Sequence, residues 1–110
     1  MTIEWSDFEK VVQVVGTIVA AESFPEAKKP AYKLTIDLGP KFGLKRSSAQ
    51  ITAFYKIEEL IGKQVLCVVN FNPKKIGPFL SEVLTTGFVT PEGVILAIPE
   101  RALPNGTLLS

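Results

Sequence analysis

The 110-residue chain contains no histidine. That excludes every Ser-His or Cys-His nucleophile and every imidazole-ligated metal. It contains a single cysteine, Cys67, within the apolar run QVLCVV. No disulfide can form inside the chain, no multi-thiolate zinc site is available, and a reduced, cytoplasmic setting is expected. Cys67 itself reads as a small buried apolar residue, not a reactive thiol. No apolar run approaches the ~20 residues that a bilayer-crossing helix needs, so membrane insertion is not expected. The acidic start MTIEWSDFEK lacks the basic and apolar regions of a signal peptide. Neither G-x-x-x-x-G-K-[ST] nor G-x-G-x-x-G occurs, which removes the glycine-rich phosphate cradles. Glu58–Glu59 is a carboxylate pair, but it sits in a short helical segment and reads as a solvated face. A binding module without cofactor or metal is expected, not an enzyme.

What is present suits one domain over residues 1–110. Hydrophobic residues make up 46% of the chain, enough for a core at this length. Ser6-Asp7-Phe8-Glu9 has the form of a capping box and predicts a short N-terminal helix. Residues 11–22 form a long β-branched run with Gly16 in the middle, where a bulge or bend is expected. Residues 31–38 alternate, with Tyr32, Leu34, Ile36 and Leu38 on one face and Lys33, Thr35 and Asp37 on the other, as a half-buried strand does. GPKFG is a turn, and LKRSSAQI (44–51) a third, more polar strand. TAFYKIEELIGK supplies a central helix with Ile57, Leu60 and Ile61 at helical spacing. QVLCVVNF is an apolar strand buried on both faces. SEVLTTGFVT and GVILAIP form a hairpin turning at Pro91-Glu92-Gly93, and PNGT is a last turn. The order predicts a mainly all-β, five- to six-stranded Greek-key barrel of the OB type, with a short helix between strands three and four. A sandwich has similar spacing and is the alternative.

Charge is distributed unevenly behind the overall +1. Residues 23–80 carry ten Lys or Arg against four acids, net +6, whereas residues 1–22 are net −3 and residues 81–110 net −2. The cations cluster at Lys28–Lys29, at Lys41, Lys45 and Arg46, and at Lys74–Lys75. In an OB barrel the third strand and its neighbouring loops border the ligand face, where a basic groove follows a phosphate backbone and aromatics stack on bases. Lys28–Lys29 alone reads as ordinary solvated surface. Phe71 and Phe79, flanking the lysines, are either stacking platforms or loop ends tucked into the barrel. Ser47, Ser48 and Gln50 either bond a ligand or line a wet sheet face. Trp5 and Phe8 are aromatics of a short amphipathic helix, suited to covering a core or an interface.

The segments GTIVAAESFPEAKKPAYKLTIDLG, LKRSSAQIT and LIGKQVLCVVNFNPKKIGPFLSEVLTTG resemble the tRNA-binding-domain family, specifically its stand-alone CsaA-type members, over about residues 11–90. The resemblance implies an OB-fold homodimer, with related domains appended to methionyl- and phenylalanyl-tRNA synthetases. CsaA-type members are described as export-related chaperones that bind peptides or preproteins. Where relatives carry paired prolines this chain reads Asn72-Pro73, a change that loosens the loop and leaves its charge intact. The implied ligand is tRNA or a tRNA-like RNA. Lys45, Arg46, Lys74 and Lys75 are expected on phosphates, with Ser47, Ser48, Gln50, Asn70 and Ser81 lining the recognition surface. The alternative is an unfolded peptide or preprotein in apolar pockets formed by Phe71, Ile76 and Phe79, with no physiological RNA. Ile3, Trp5 and Phe8, or the apolar run 94–98, are the expected dimer interface.

Overall fold

The computed structural model describes residues 1–110. In chain order the elements are α1 (Trp5–Glu9), β1 (Gln13–Ser23), β2 (Tyr32–Asp37), α2 (Gly39–Phe42), β3 (Leu44–Ala49), α3 (Ile57–Leu60) and β4 (Gln64–Val68). They continue with β5 (Lys74–Ile76), β6 (Phe79–Ser81), β7 (Leu84–Thr85), β8 (Gly87–Thr90), β9 (Gly93–Leu96) and β10 (Leu108–Leu109).

The alternation in β2 dictates the first sheet. Leu34, Ile36 and the following Leu38 are fully buried, while Lys33, Thr35 and Asp37 are only partly so. β2 lies antiparallel between β3 and β1. β1 is long enough to serve two neighbours. Its residues 17–23 pair with β2, and residues 13–17 pair with β4 along the opposite edge. The register steps at Val19, between the pairs Ile18↔Ile36 and Ala20↔Thr35, so the bulge falls three residues beyond the Gly16 expected from sequence. Gly16 serves a close approach instead. A Cβ there would stand 2.6 Å from Ile36 Cγ2 and 2.6 Å from Leu38 Cδ2.

The sheet runs β3-β2-β1-β4-β7, with β10 also pairing along β1. Between β3 and the segment leading into β7, single bonds replace a ladder: Glu82 N–H donates to Arg46 O at 2.8 Å, and Ser47 Oγ donates to Val83 O at 2.9 Å. The result is the nearly closed antiparallel barrel of the OB type. Twelve buried residues fill it, among them Val14, Ile18, Leu34, Ile36, Val65, Cys67 and, from α3, Leu60. Complete burial of hydrocarbon on this scale is the main source of its stability.

Several local readings change. α1 begins at Trp5 with Glu4, not Ser6, as its N-cap, and the Asp7 carboxylate accepts from Glu4 N–H at 3.0 Å. The central helix is a single turn, and Ile61 follows it in extended backbone (ψ 125°), 50% exposed. The GPKFG turn is a helical turn, α2. The run 81–90 is not one strand but parts of β6, β7 and β8. The lysine segment is a hairpin and not a loop: β5 and β6 pair Lys74↔Ser81, Lys75↔Leu80 and Ile76↔Phe79. Gly77, at φ +57°, takes the left-handed turn conformation between them. β8 and β9 form the expected hairpin, with Thr90↔Gly93 enclosing Pro91 and Glu92.

Candidate functional site

β3 and the β5–β6 ribbon converge on an open groove of about 870 Å³. Ser48 and Gln50 border it from β3 and its continuation. Phe71, Lys74, Ile76 and Ser81 border it from the ribbon and its approach. Val83, Leu84 and Thr85 contribute further along, and Val89 and Val94 come from the β8–β9 hairpin. The ribbon is fixed to β3 by Ser48 N–H, which donates to Ser81 Oγ at 3.0 Å. Five of the residues expected at a binding surface therefore meet here: Ser48, Gln50, Phe71, Lys74 and Ser81. Phe71 is 58% exposed, a large apolar ring left open to solvent in the groove that Lys74 also lines.

The other expected residues stand elsewhere, each for a visible reason. Ser47 points into the barrel and is fully buried. Its hydroxyl is spent on Val83 O and on Thr85 Oγ1 at 2.8 Å, so it lines no surface. Phe79 is 5% exposed and packs edge-on against Phe24 with ring centroids 5.3 Å apart, which excludes it as a stacking platform. Arg46 lies over the Phe79 ring at 4.6 Å and pairs with Glu22 at 3.0 Å, while Lys45 faces Glu82 at 3.9 Å. Asn70 is a clamp: its Oδ1 accepts from Val12 N–H at 2.9 Å and its Nδ2 donates to Lys10 O at 2.6 Å, tying the segment after α1 to the end of β4. Lys75 occupies the face of the ribbon opposite Lys74, because successive strand residues point opposite ways. Neither lysine has an ion-pair partner within the chain.

Sequence reasoning missed Val83, Thr85, Val89 and Val94 as groove residues. The alternation of GFVT and GVIL was the available signal, but it identifies the faces of a hairpin without saying what lies beneath them. Cys67 behaves as expected of a buried thiol: burial pushes its pKa up to about 12, against a smaller lowering by the hydrogen bond from Thr85. Ile3 and Trp5 are exposed at 57% and 64%, and Phe8, half-buried, lies 5.2 Å from the Trp5 ring. A second apolar groove, about 250 Å³, runs between residues 97–103 and β10, lined by Ile98, Leu103 and Leu108 among others. No helix is long and apolar enough to cross a membrane.

An OB-type barrel with a groove beside its third strand, lined by apolar and hydroxyl side chains with one cation, Lys74, and one acid, Glu82, defines a binding domain, and its relatives give the class. The family model "Putative tRNA binding domain" matches residues 13–108, and the chain belongs to that family. Among solved structures, the chaperone CsaA from Bacillus anthracis is similar at 46% identity and TM-score 0.94, covering all of both chains. The CsaA chaperone protein from Picrophilus torridus is similar at 48% identity and TM-score 0.93, covering 99% of this chain and all of that one. Among curated relatives, methionine–tRNA ligase 1 of Sorangium cellulosum is 47% identical over 102 residues, 91% of this chain but 14% of that protein. The chain thus spans about one-seventh of the length of such ligases.

Proposed function

We propose that the chain is a non-catalytic binding module for tRNA or a tRNA-like RNA, held across the groove between β3 and the β5–β6 ribbon. The observation that carries this reading is that one groove is lined both by the mostly exposed Phe71 ring and by Lys74, which forms no ion pair within the chain. A base stacks on the ring, the ammonium meets an adjoining phosphate, and Ser48, Gln50 and Ser81 supply hydrogen-bonding groups along the same wall. Lys75 adds charge from the far face of the ribbon. Membership of the tRNA-binding family supports the ligand class.

A second reading has its own support. Ile76, Val83, Leu84, Val89 and Val94 give the groove an apolar lining, which suits extended peptide, and two solved neighbours are named as chaperones. On that reading the groove accepts unfolded preprotein and the protein takes part in export. Salt separates the two. RNA affinity should fall steeply with ionic strength, and Lys74→Ala with Lys75→Ala should make the slope of log affinity against log salt shallower by roughly one to two units. Affinity for an unfolded peptide should change little with salt. An unchanged RNA slope in the double variant would favour the peptide reading.

We also propose a homodimer, closed through Ile3 and Trp5 with Phe8 alongside, or through the apolar groove along β10. Exposed apolar groups of this size call for a cover, and a two-fold pair is the commonest arrangement. Light scattering should give a mass near twice the 12.0 kDa chain mass. A monomer persisting at high concentration would overturn it.

A further inference from the structure

Of the three asparagines, Asn70, Asn72 and Asn105, only Asn105 precedes a glycine. It stands in the turn that leads into β10, where Thr107 N–H donates to Pro104 O at 3.1 Å and Gly106 takes φ +92°. Both turn residues are dictated by what they touch. A Cβ on Gly106 would stand 2.9 Å from Leu38 O, so glycine is required there for space as well as for φ. Asn105 supplies an acceptor. The Gln64 amide exchanges two bonds with the Leu103 backbone: its Nε2 donates to Leu103 O at 2.6 Å, and Leu103 N–H donates to its Oε1 at 2.9 Å. So oriented, Gln64 Nε2 also donates to Asn105 Oδ1 at 3.1 Å, and Thr17 Oγ1 donates to the same oxygen at 2.7 Å. Beyond the turn, Gly106 N–H donates to Val15 O at 2.7 Å and Val15 N–H to Thr107 O at 3.0 Å, after which β10 pairs with Gln13 and Val14. Asn105 thus latches a C-terminal strap onto the part of β1 that β2 leaves unpaired.

The pair that the latch requires is also the most reactive one an asparagine can form, because glycine has no side chain to shield its amide nitrogen. We propose that Asn105 is a site of spontaneous modification which the closed strap suppresses and whose isoaspartyl product releases the strap. With the strap open, the Gly106 nitrogen loses its proton and attacks Asn105 Cγ, closing a succinimide and expelling the side-chain nitrogen as ammonia. Water then opens the ring at either carbonyl, leaving aspartate or isoaspartate; one water is consumed and one ammonia released. In the closed strap the Gly106 proton is held by Val15 O and the Asn105 amide by Thr17 and Gln64, so the nitrogen is not free to attack. The two products differ in effect. Aspartate keeps an oxygen where Thr17 and Gln64 donate. Isoaspartate routes the main chain through the former side chain and lengthens the turn by one carbon, so the bonds to Val15 and the β10 pairing cannot both be restored. Val15, 5% exposed, then loses the cover of the strap. The inference does not depend on which ligand the groove takes.

The test is timed incubation of the full chain at mildly alkaline pH, with peptide mapping by mass spectrometry to count aspartate and isoaspartate at position 105. A blocked LPNGT peptide and the chain unfolded in urea serve as references. The native chain should convert on the order of tenfold more slowly than either, or slower still, since reaction waits on local opening of the strap. Thr17→Val keeps a β-branched side chain but removes one donor to Asn105, and should raise the native rate roughly two- to tenfold without altering the rate in urea. Hydrogen exchange reads the consequence: the Val15 amide should lose protection in the isoaspartyl fraction and keep it in Asn105→Asp. Conversion of the native chain at the peptide's rate, or a Thr17→Val rate equal to the unsubstituted one, would overturn the guarding role. Retained Val15 protection in the isoaspartyl fraction, or its loss in Asn105→Asp, would overturn release by the lengthened backbone.

Discussion

The barrel and the basic ribbon laid against its third strand are held by very different amounts of buried surface. Twelve buried residues fill the barrel, whereas three, Phe24, Ala31 and Phe79, hold the loop and ribbon in place. The strands β1, β2 and β3 pair over most of their lengths, while β5 and β6 pair over three positions. In the barrel the polar side chains that face inward are satisfied within the protein. Around the groove, Lys74 of the ribbon, Gln50 after β3 and the Phe71 ring before β5 have no partner within the protein that occupies them. If the groove binds as proposed, stability and ligand capture fall to separate sets of side chains, and substitutions should sort into those that unfold and those that only unbind.

Gly16→Ala should give the largest effect and tests the barrel side of this division. The added methyl would collide with Ile36, with Leu38 and with the Asp37 carbonyl oxygen at 3.0 Å. Overpacking of this kind costs about 1–3 kcal/mol, or more where backbone must shift. For a chain of this size that is a fall in Tm of roughly 4 °C or more per kcal/mol, read by thermal denaturation. RNA affinity of the remaining folded protein should be unchanged. A loss of affinity at unaltered Tm would erase the distinction between the two regions.

The same division explains what was legible in the sequence. Strand β2 was readable because its period of two spans its whole length; the apolar run QVLCVVNF located β4 but overstated it, since the strand ends at Val68, Leu66 is only partly buried and Phe71 is exposed. The ribbon was not, because NPKKIGPFLS contains two prolines, a glycine and only three paired positions, too few for a pattern to emerge. Nor do residues near one another in sequence reveal that Arg46 is claimed by Glu22 and Phe79, or Lys45 by Glu82; those contacts exist only once the barrel has brought distant segments together. The family motif supplied positions, but not which way each side chain points. Ser47 and Ser48 show the consequence: neighbours in one motif, they face opposite sides of β3.

That pair supplies the next comparison in size. Ser47→Ala would leave the buried Val83 carbonyl and the Thr85 hydroxyl without their partner, a loss of about 1–3 kcal/mol. Ser48→Ala removes a groove hydroxyl with no such obligation and should stay within about 0.5 kcal/mol. Urea denaturation of the two variants checks this, and equal midpoints would mean that the burial difference carries no energetic weight.

Phe71→Ala moves to the ligand side. The ring is mostly exposed, so stability should change by no more than about 0.5 kcal/mol. If a base stacks on it, RNA affinity should fall by about 1–3 kcal/mol, close to tenfold or more in Kd. Phe71→Tyr keeps an aromatic face and should retain most of the affinity. Weak binding by both would point to hydrophobic contact with the ring edge in place of stacking.

Gln50→Ala should give the smallest effect, and it separates the two ligand readings most cleanly. Gln50 follows β3, is exposed, and makes no side-chain hydrogen bond within the protein, so nothing in the fold depends on its amide. Removing it should leave the denaturation midpoint unchanged. A neutral hydrogen bond to RNA, exchanged against water, contributes about 0.5–1.5 kcal/mol, so Kd should rise several-fold. Because the amide carries no charge, the salt slope should stay that of the unsubstituted protein, unlike the slope of any lysine variant. Peptide seated on the apolar lining of the groove has no such need of Gln50, and its affinity should be unaltered. A drop in Tm at constant affinity would place Gln50 among the residues that hold the barrel, on the wrong side of the division.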